Sequence, residues 1–298
     1  MQPITYVYAD DTTHSLAELG AAHQGLCASP PEPSHIALLL HTCQRIEWYA
    51  VAEAMPPAFE LLGQSSAYGQ RAALVRLAQI AAGSLSLIAG ERFIHRQVRE
   101  AASRLMPDHP LHGVIHDALV LATRARQEFG LFAQVDYSDL PHILFDRRPA
   151  EPRRLLVVGG GMLARAIAAA PPPGYDRVVM MTRGPRKLRR LVEGLGTVTV
   201  VRHPSLDRAL GGRPYDTVIA TTNLHGDYQQ QVRAAATGPQ SRSVVDLCCT
   251  PALPERPNGY RHLYDSDVLR VLAEANRSMA DRALQAREWI AQNVEVTV

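Results

Sequence analysis

A short apolar run followed at once by three glycines limits most strongly how this chain can fold. Residues 155–158 (LLVV) have the composition of a strand buried on both faces, and 159–164 (GGGMLA) lead into an Ala-rich helical segment. The glycines allow a tight turn and a close approach of the backbone to a pyrophosphate at the helix N-terminus, and a small residue at 164 lets helix and strand pack closely. Further apolar runs that suit buried strands lie at 177–181, 197–201, 217–220 and 243–247. Strands that alternate with helices predict a doubly wound parallel sheet of the Rossmann type, and the glycine loop predicts a dinucleotide site.

The residues about twenty positions beyond the glycine loop indicate which dinucleotide is expected. A site that prefers NAD would place Asp or Glu there, whereas this chain has Arg183, followed by Arg186 and Lys187. Guanidinium groups can hold a 2′-phosphate, so we expect NADPH; the alternative is that most of this basic run is a solvated helix face. The candidate cofactor-binding residues are Gly159, Gly160, Gly161, Met162, Leu163, Thr182, Arg183, Arg186, Lys187, Thr221 and Thr222.

The pattern along the chain predicts two domains and a C-terminal helix. The first 60 residues mix strand and helix signals, and the helical apolar spacing of 70–129 makes this half rich in helices. The charged stretch 146–154 contains two prolines and suits an exposed connection. We therefore expect an α/β catalytic and substrate-binding domain at 1–150, the nucleotide-binding domain at 151–264 and a long helix at 265–298.

The predicted C-terminal helix carries one apolar stripe. Its members step by three or four residues and are Val268, Leu272, Ala275, Met279, Ala283, Ala286 and Ile290. The stripe favours packing on the chain's own domains, and the alternative is a seam between two subunits of a dimer. The oligomeric state stays open at this point.

Composition excludes several classes of protein. Of 298 residues, 46% are hydrophobic and 20% are charged, which is typical of a globular enzyme and not of a disordered chain. No apolar run reaches the roughly 18 residues that a membrane span needs, and no signal sequence follows Met1, so we expect a cytoplasmic protein. The four cysteines form no CxxC pair, so neither a metal site nor a disulfide framework is expected. The net charge of +2 does not by itself favour DNA.

A second motif suggests a nucleophile. The apolar run 36–40 leads directly into His41, Thr42, Cys43, Gln44 and Arg45. In an extended stretch, alternate residues share a face, so His41 and Arg45 would flank Cys43 and both would favour its thiolate, which can accept an acyl group. The alternative is an inert packing cysteine, which is also our interpretation of Cys248 and Cys249.

The segments in the first half, taken with the glycine loop, resemble the glutamyl-tRNA reductase family. Residues 39–47 (LLHTCQRIE) resemble the signature that carries the family's catalytic cysteine, with four of seven positions matching. Residues 82–91 with 97–101 resemble its second signature, and 122–130 resemble a third segment. The glycine loop, 245–247, 263–267 and Asn276 follow in the family order.

This resemblance implies an activity. Cys43 would attack the ester carbonyl of an aminoacyl-tRNA, and NADPH would reduce the resulting thioester to an α-amino aldehyde. In the family the product is glutamate-1-semialdehyde, a tetrapyrrole precursor. Arg45 would hold substrate near the cysteine, with His41 as the third catalytic candidate, and the candidate substrate contacts are Thr42, Arg76, Ser86 and Gln97.

The chain departs from the family pattern in its pocket. The family's N-terminal Asn-His-Lys-Thr segment corresponds to something near Asp10, Asp11 and Thr12, and the pocket histidine falls on Arg76. Arg76 beside Arg45 could bind a carboxylate, or the pocket could serve a different aminoacyl group in a specialised biosynthetic pathway. The family's C-terminal dimerisation domain is expected to be lacking.

Binding to tRNA requires phosphate contacts. Arg92, Arg96 and Arg99 follow helical spacing, and Arg124 and Arg126 lie in the same half, although arginine is the common base throughout this sequence. Two other functions stay open. One is an NADP-dependent dehydrogenase of a small free substrate, and the other is a non-catalytic relative that binds tRNA or a partner protein.

Overall fold

A computed structural model describes most of the chain as two compact units. The described residues are 3–28, 37–51, 66–135, 137–144, 153–171, 174–194, 196–202, 215, 217–221, 243–249, 251, 253, 256 and 258–294. The first unit combines residues 1–135 with 272–298, and the second unit is 136–271. The predicted connection at 146–154 lies largely outside the described residues.

A four-stranded antiparallel sheet forms one layer of the first unit. Its strands are β1 (Ile4–Asp10), β2 (Ala37–His41), β3 (Arg45–Val51) and β4 (Ser66–Tyr68), in the spatial order β2-β3-β1-β4. Strand β1 pairs with β3 so that Tyr6 lies opposite Tyr49, Tyr8 opposite Glu47 and Asp10 opposite Arg45. Because directly opposed residues point to the same face, these six side chains share one side of the sheet.

Three helices of the first unit bury the apolar part of that face. They are α2 (Gln70–Ala81), α3 (Phe93–Ala102) and α4 (Leu111–Glu128), whereas α1 (Leu16–Ala28) contacts the opposite face through His23. One core joins Tyr6 and Tyr49 of the sheet to buried residues such as Leu77 of α2, Val98 of α3 and Ala118 of α4. The helix-rich α/β character predicted for this half is therefore correct.

The predicted C-terminal helix is two helices. Helix α8 spans Ser266–Ala275 and α9 spans Arg277–Gln292, and Asn276 between them leaves the helical conformation with φ −100° and ψ 7°. The Asn276 side chain and the Asn276 backbone N–H both donate to the Leu272 carbonyl at 2.9 Å, which fixes the break between the two helices. Apolar spacing alone does not reveal such a break, because the stripe continues across it.

The stripe of α9 packs inside the first unit. Met279, Ala283, Ala286 and Ile290 are buried in the same core as α2 and α4. Two side-chain bonds secure the helix to α2, from Arg71 to the Ala291 carbonyl and from Gln79 to the Arg287 carbonyl. This face is therefore used within the chain, which was the favoured interpretation, and it is not left over for a seam between subunits.

The second unit is the predicted parallel sheet. Its strands are β5 (Arg153–Val158), β6 (Tyr175–Thr182), β7 (Val198–Arg202), β8 (Thr217–Ala220), β9 (Ser243–Asp246) and β10 (Tyr260–His262). All pairs are parallel, and the order β10-β9-β8-β5-β6-β7 is that of a dinucleotide-binding doubly wound sheet. The described helices of this unit are α5 (Leu140–Leu144), after a 3₁₀ turn at Tyr137–Asp139, α6 (Met162–Ala169) and α7 (Pro185–Leu191).

In the part of the chain that the structure describes, every helix is too short or too polar to span a bilayer.

Candidate active site

Cys43 lies at the tip of a two-residue turn between β2 and β3. The strands place His41 opposite Ile46, and the Thr42 N–H donates to the Arg45 carbonyl at 2.9 Å, so Cys43 and Gln44 form the turn. The Thr42 hydroxyl accepts the Gln44 N–H at 3.3 Å. Thr42 is thereby used in shaping the turn, and Cys43 is partly exposed at its end.

The turn places His41 and Arg45 on opposite faces of the sheet. His41 shares the face of Ile46, its directly opposed partner, and neighbouring residues along a strand point to opposite faces. The His41 ring lies against His23 of α1, with 4.4 Å between ring centroids and a direct contact between His41 Nε2 and His23 Nδ1. The expectation that His41, Cys43 and Arg45 share a face is wrong, because it assumed an extended chain where the structure has a hairpin. The catalytic role of His41 stays a prediction.

Arg45 is almost fully buried beneath the turn. Its Nη2 donates to the Leu85 carbonyl, and its Nη1 lies 3.7 Å from Glu47 Oε1, beyond hydrogen-bond distance. Among the residues that the structure describes, Nη1 has no hydrogen-bond partner. A buried guanidinium therefore keeps one donor group unused beside the predicted nucleophile.

The loop that follows α2 is held against this hairpin. Gly83 and Gly90 both adopt a φ of +76°, and the Gly90 N–H donates to the Gly83 carbonyl at 2.9 Å. Arg126 Nη1 donates to the carbonyls of Ala82 and Glu91, each at 3.0 Å. Its Nη2 donates to the Gly90 carbonyl, also at 3.0 Å. Three charge-assisted bonds fix the loop, so Arg126 serves the fold here and not a phosphate contact.

The surroundings of Cys43 hold its thiol protonated. Burial raises the pKa of Cys43 to about 12, and the Glu91 and Asp11 carboxylates act in the same direction, whereas Arg45 lowers it. The sequence led us to expect a favoured thiolate from the nearby cations. That expectation is wrong in its net sign, because burial and two carboxylates together outweigh one guanidinium.

Arg76 of α2 is paired with two carboxylates. Its Nε and Nη2 donate to Glu47 Oε2 and Oε1 at 3.0 and 2.7 Å, and Nη2 also lies 2.9 Å from Asp10 Oδ2. The guanidinium stacks on the Tyr8 ring, 3.5 Å from its centroid. Glu47 is fully buried and also accepts the Tyr49 hydroxyl at 2.6 Å.

The pKa shifts of this cluster follow from its ion pairs. Burial acts against the charged form of Arg76, but the bonds to Glu47 and Asp10 prevail and raise its pKa. Burial also acts against the charged form of Asp10, but hydrogen bonds from Thr12 and Arg76 prevail and lower its pKa. The pKa of Asp11 is raised by loss of hydration and by the neighbouring Asp10 carboxylate. Arg76 is therefore tied to the protein's own carboxylates, and its predicted contact with substrate stays a prediction.

The two remaining predicted substrate contacts lie near the cysteine turn or on the adjacent helix. Ser86 is partly exposed in the loop whose next residue, Leu87, donates its N–H to Gln44 Oε1 at 3.0 Å. Gln97 is partly exposed on α3, the helix that begins two residues after Glu91. The loop therefore brings Ser86 to the Cys43 turn, and both roles stay predictions.

The glycine loop of the second unit has the shape that a dinucleotide requires. Gly159 adopts φ +132°, and a Cβ there would lie 2.2 Å from Thr221 Oγ1. A Cβ on Gly160 would lie 2.6 Å from Thr182 Oγ1, whereas one on Gly161 would meet no atom of the described residues within 4 Å. Gly161 caps the N-terminus of α6, whose first N–H groups lack partners within the helix. These residues fit a pyrophosphate group.

The basic residues predicted to select the cofactor follow the strand beside the glycine loop. Thr182 ends β6, and Arg183 and Arg186 after it are exposed. Met162 and Leu163 are partly exposed in the first turn of α6. The side chain of Lys187 and the whole of Thr222 lie outside the described residues. Their cofactor roles remain predictions.

Sequence reasoning did not assign roles to Glu91, Asp11 or Glu47, although their charges dominate the first unit's site. Glu91 was seen as part of a motif, and Asp11 as a departure from one. The alternation of Arg45, Glu47 and Tyr49 on β3 could have indicated a group of charged side chains on one face of the sheet. The pattern does not reveal Arg76, the ionic partner of Glu47, because the two residues are 29 positions apart in the sequence.

The first half of the chain matches a known protein family, and most of its length is similar to one curated protein. Residues 12–129 match the family model for the N-terminal domain of glutamyl-tRNA reductase. The protein named "Protein nfe2" from Rhizobium meliloti is 28% identical over 286 residues, which is 90% of this chain and 92% of that protein.

Two solved structures are also similar to the chain. Glutamyl-tRNA reductase from Methanopyrus kandleri is 20% identical with a TM-score of 0.46, covering 98% of this chain and 78% of that one. The nucleotide-binding domain of glutamyl-tRNA reductase from Thermoplasma volcanium is 20% identical with a TM-score of 0.35, covering 50% of this chain and 99% of that one.

Proposed function

We propose that the chain is a divergent member of the glutamyl-tRNA reductase family, whose N-terminal domain model it matches, and that it reduces an aminoacyl-tRNA ester to an α-amino aldehyde. Cys43 is the nucleophile in this proposal and NADPH is the hydride donor. The observation that carries it is the position of Cys43, partly exposed at a hairpin tip, above a buried Arg45 that keeps one donor group unused.

The acyl transfer is assigned to the Cys43 turn. The sulfur attacks the ester carbonyl, the bond to the tRNA ribose oxygen breaks, and the thiol proton passes to that oxygen, which leaves a thioester on Cys43. Arg45 Nη1 is the donor available to the carbonyl oxygen as negative charge develops on it. NADPH bound at the glycine loop would supply a hydride to the thioester carbon, and the carbon–sulfur bond would then break to release the aldehyde and the Cys43 thiolate.

The carboxylates near the Cys43 thiol would allow a bound substrate to lower the pKa of that thiol. An aminoacyl ester brings an α-ammonium group close to its own carbonyl carbon. Asp11 and Glu91, whose charges raise the pKa of Cys43, are the groups that an ammonium would neutralise. Binding the ester would therefore lower the thiol pKa and favour attack only when substrate is present.

The NADPH assignment rests on the second unit. Gly159, Gly160 and Gly161 leave room for the pyrophosphate at the start of α6, and Arg183 stands where a carboxylate would select NAD. The exposed guanidinium groups of Arg183 and Arg186 are the ones that would hold a 2′-phosphate.

The tRNA contacts are assigned to exposed arginines of α3 and α4. Arg92, Arg99 and Arg124 are exposed, and Arg96 is exposed but forms an ion pair with Glu100 at 2.8 Å. Because these contacts would be to phosphates, affinity for tRNA should fall steeply as salt is added.

Trapping the thioester tests the acyl transfer. The full-length protein is incubated without NADPH with tRNAs charged with a mixture of amino acids, and its intact mass is measured after an acid quench. An added acyl mass that disappears in Cys43→Ser, but persists in Cys249→Ser as a control at a buried cysteine, supports the proposal. Unchanged mass with every charged tRNA would contradict it.

The raised pKa of Cys43 favours a second candidate, a non-catalytic relative that binds tRNA. In that case, salt-sensitive tRNA binding would be the same for the wild-type protein and Cys43→Ser, and neither acylation nor aldehyde formation would occur. The trapping experiment and the binding measurement together separate the two candidates.

A further inference from the structure

Two buried polar side chains hold the segment of the chain that follows β9. Asp246 ends that strand with no exposed surface, and His262, which is also buried, ends the neighbouring strand β10. We propose that Asp246 and His262 are positioning residues, and that the segment they hold, residues 247–249, is the surface on which the nicotinamide half of the cofactor lies. The inference rests on the proposed function, since it concerns how the hydride donor of that function is held.

The backbone of Cys248 is bound on both sides by these side chains. Asp246 Oδ1 accepts the Cys248 N–H at 3.0 Å, and His262 Nε2 donates to the Cys248 carbonyl, also at 3.0 Å. The other carboxylate oxygen of Asp246 accepts the hydroxyl of Tyr260 on β10. A network of buried hydrogen bonds restricts the groups it joins, so the path of segment 247–249 is set by β9 and β10 together.

His262 bonds the Cys248 carbonyl as a neutral ring. Its Nδ1 accepts the Tyr264 N–H at 3.4 Å, which leaves the ring proton on Nε2. Burial lowers the pKa of His262, although the Asp246 carboxylate acts in the opposite direction. Burying a carboxylate and an imidazole costs free energy that an apolar pair would not cost, so the arrangement favours a role in fixing segment 247–249 over a role in stability alone.

The carboxyl ends of three neighbouring strands are joined into one edge. After β8, the Thr221 N–H donates to the Val158 carbonyl at the end of β5, at 2.9 Å. After β9, the Leu247 N–H donates to the Ala220 carbonyl at the end of β8, also at 2.9 Å. Since neighbouring strands lie about 4.8 Å apart, segment 247–249 follows the glycine loop along this edge at a distance of roughly 10 Å.

The order of the strands gives each half of the cofactor its own side of this edge. A doubly wound sheet binds its ligand outside the carboxyl ends of the strands where their order reverses, which here is between β5 and β8. The pyrophosphate fits the glycine loop after β5, and the adenosine ribose falls on the side of β6, which Arg183 follows. The nicotinamide half then extends over β8 and β9, and segment 247–249 begins directly after β9.

Two probes separate the halves of the cofactor. Adenosine 2′,5′-bisphosphate carries the adenine and the 2′-phosphate of NADPH and lacks the nicotinamide. Calorimetric titration of the full-length protein measures the affinity for each probe. His262→Leu removes the donor to the Cys248 carbonyl, so it should weaken NADPH binding about tenfold, the usual effect of losing one buried hydrogen bond, and should change the affinity for the bisphosphate by no more than about twofold.

Further variants provide a rescue, a second test and a control. In His262→Gln the side-chain amide can donate from nearly the position of Nε2, so most of the NADPH affinity should return. Asp246→Asn replaces one acceptor oxygen by a donor and should lower the NADPH affinity in the same selective way, and it serves as the test if His262→Leu fails to fold. Ser243→Ala is the matched control, because Ser243 is buried at the amino end of the same strand and shares a hydrogen bond with Thr217 at 2.8 Å. It should leave both affinities unchanged, since ligands bind at the opposite end of the strands.

The outcomes separate this inference from the proposed function. Equal losses for NADPH and the bisphosphate in folded variants of His262 and Asp246 would show that these residues support the whole nucleotide domain, which overturns the inference. Unchanged NADPH affinity would overturn it as well, because segment 247–249 would then not hold the nicotinamide half. A wild-type protein that binds neither probe rejects the NADPH assignment of the proposed function and this inference with it. A selective loss of NADPH affinity supports the inference even if no thioester is trapped on Cys43, because it measures binding and not acyl transfer.

Discussion

The thiol of Cys43 should be slow to react in the folded protein, to an extent that can be calculated. Its pKa is about 12 instead of the usual 9.0, so its thiolate fraction at pH 8 is about a thousandth of that of an ordinary cysteine. A more basic thiolate is also a better nucleophile, with a Brønsted slope of about 0.4–0.5. The rate constant of the Cys43 thiolate should therefore be higher by a factor of roughly 16 to 30, which offsets part of this loss. Alkylation of Cys43 by iodoacetamide should therefore be about 30 to 60 times slower than in the unfolded chain.

The pH profile of alkylation shows whether the pKa of Cys43 is raised or lowered. Since the folded pKa is raised, the rate at Cys43 should keep rising through pH 9 and 10, where an ordinary thiol levels off. Glu91→Gln removes one carboxylate that raises the thiol pKa and keeps an acceptor for the Phe93 N–H, so the profile should move to lower pH. Glu100→Gln, at an exposed position on α3, should leave it in place.

The measurement is made by quantitative peptide mass spectrometry of alkylated Cys43 at each pH, with a circular dichroism spectrum recorded for each variant. A native profile that levels off near pH 9 would show that burial and the nearby carboxylates do not control this thiol. An unchanged midpoint in folded Glu91→Gln would show that Glu91 is not the carboxylate responsible.

Three further perturbations test other parts of the structure. Arg76→Met should lower the free energy of unfolding, measured by urea denaturation, by about 3–5 kcal/mol, because it leaves the buried charge of Glu47 without its ionic partner. A smaller loss would mean that water reaches the cluster. Arg183→Ala should weaken NADPH binding by about tenfold and leave NADH binding unchanged in a fluorescence titration, and equal losses for both would contradict a 2′-phosphate contact. Gly159→Ala should abolish binding of both nucleotides, since residue 159 has a φ of +132° and its new Cβ would lie 2.2 Å from Thr221 Oγ1. Near-normal affinity for the nucleotides would show that the loop can readjust.

The second unit could be predicted from the sequence because its signals are local. The run 155–158, the glycines after it and the recurrent apolar strands each lie within one short segment, and the handedness of parallel crossovers leaves few ways to connect them. The observed order β10-β9-β8-β5-β6-β7 follows from that pattern. The packing of the α9 stripe was also correctly predicted, since its period of three to four residues requires a buried face.

The details of the first unit's site could not be predicted in the same way. The face that His41 occupies depends on a two-residue turn, and moving the turn by one residue would reverse it. The pairing of Arg76 with Asp10 spans 66 residues and depends on how α2 lies on the sheet. The net sign of the Cys43 pKa shift depends on how deeply the thiol is buried and on how close Glu91 and Asp11 lie to it, and a sequence motif gives neither quantity.

In the proposed mechanism, burial and the two carboxylates hold the Cys43 thiol protonated at rest, and the charge of the bound substrate offsets the part that the carboxylates contribute. A thiol that is protonated at rest reacts slowly with oxidants and with stray electrophiles, since the thiolate is the reactive form. An aminoacyl ester differs from those reagents in carrying a cation beside its electrophilic carbon, and the proposal has that cation offset the effect of Glu91 and Asp11 on the thiol pKa. On this reasoning, an ester whose amino group is acetylated should acylate Cys43 far more slowly than the free amine, although the two have the same carbonyl. Equal rates with the acetylated and free esters would show that the substrate's charge plays no part in activating Cys43.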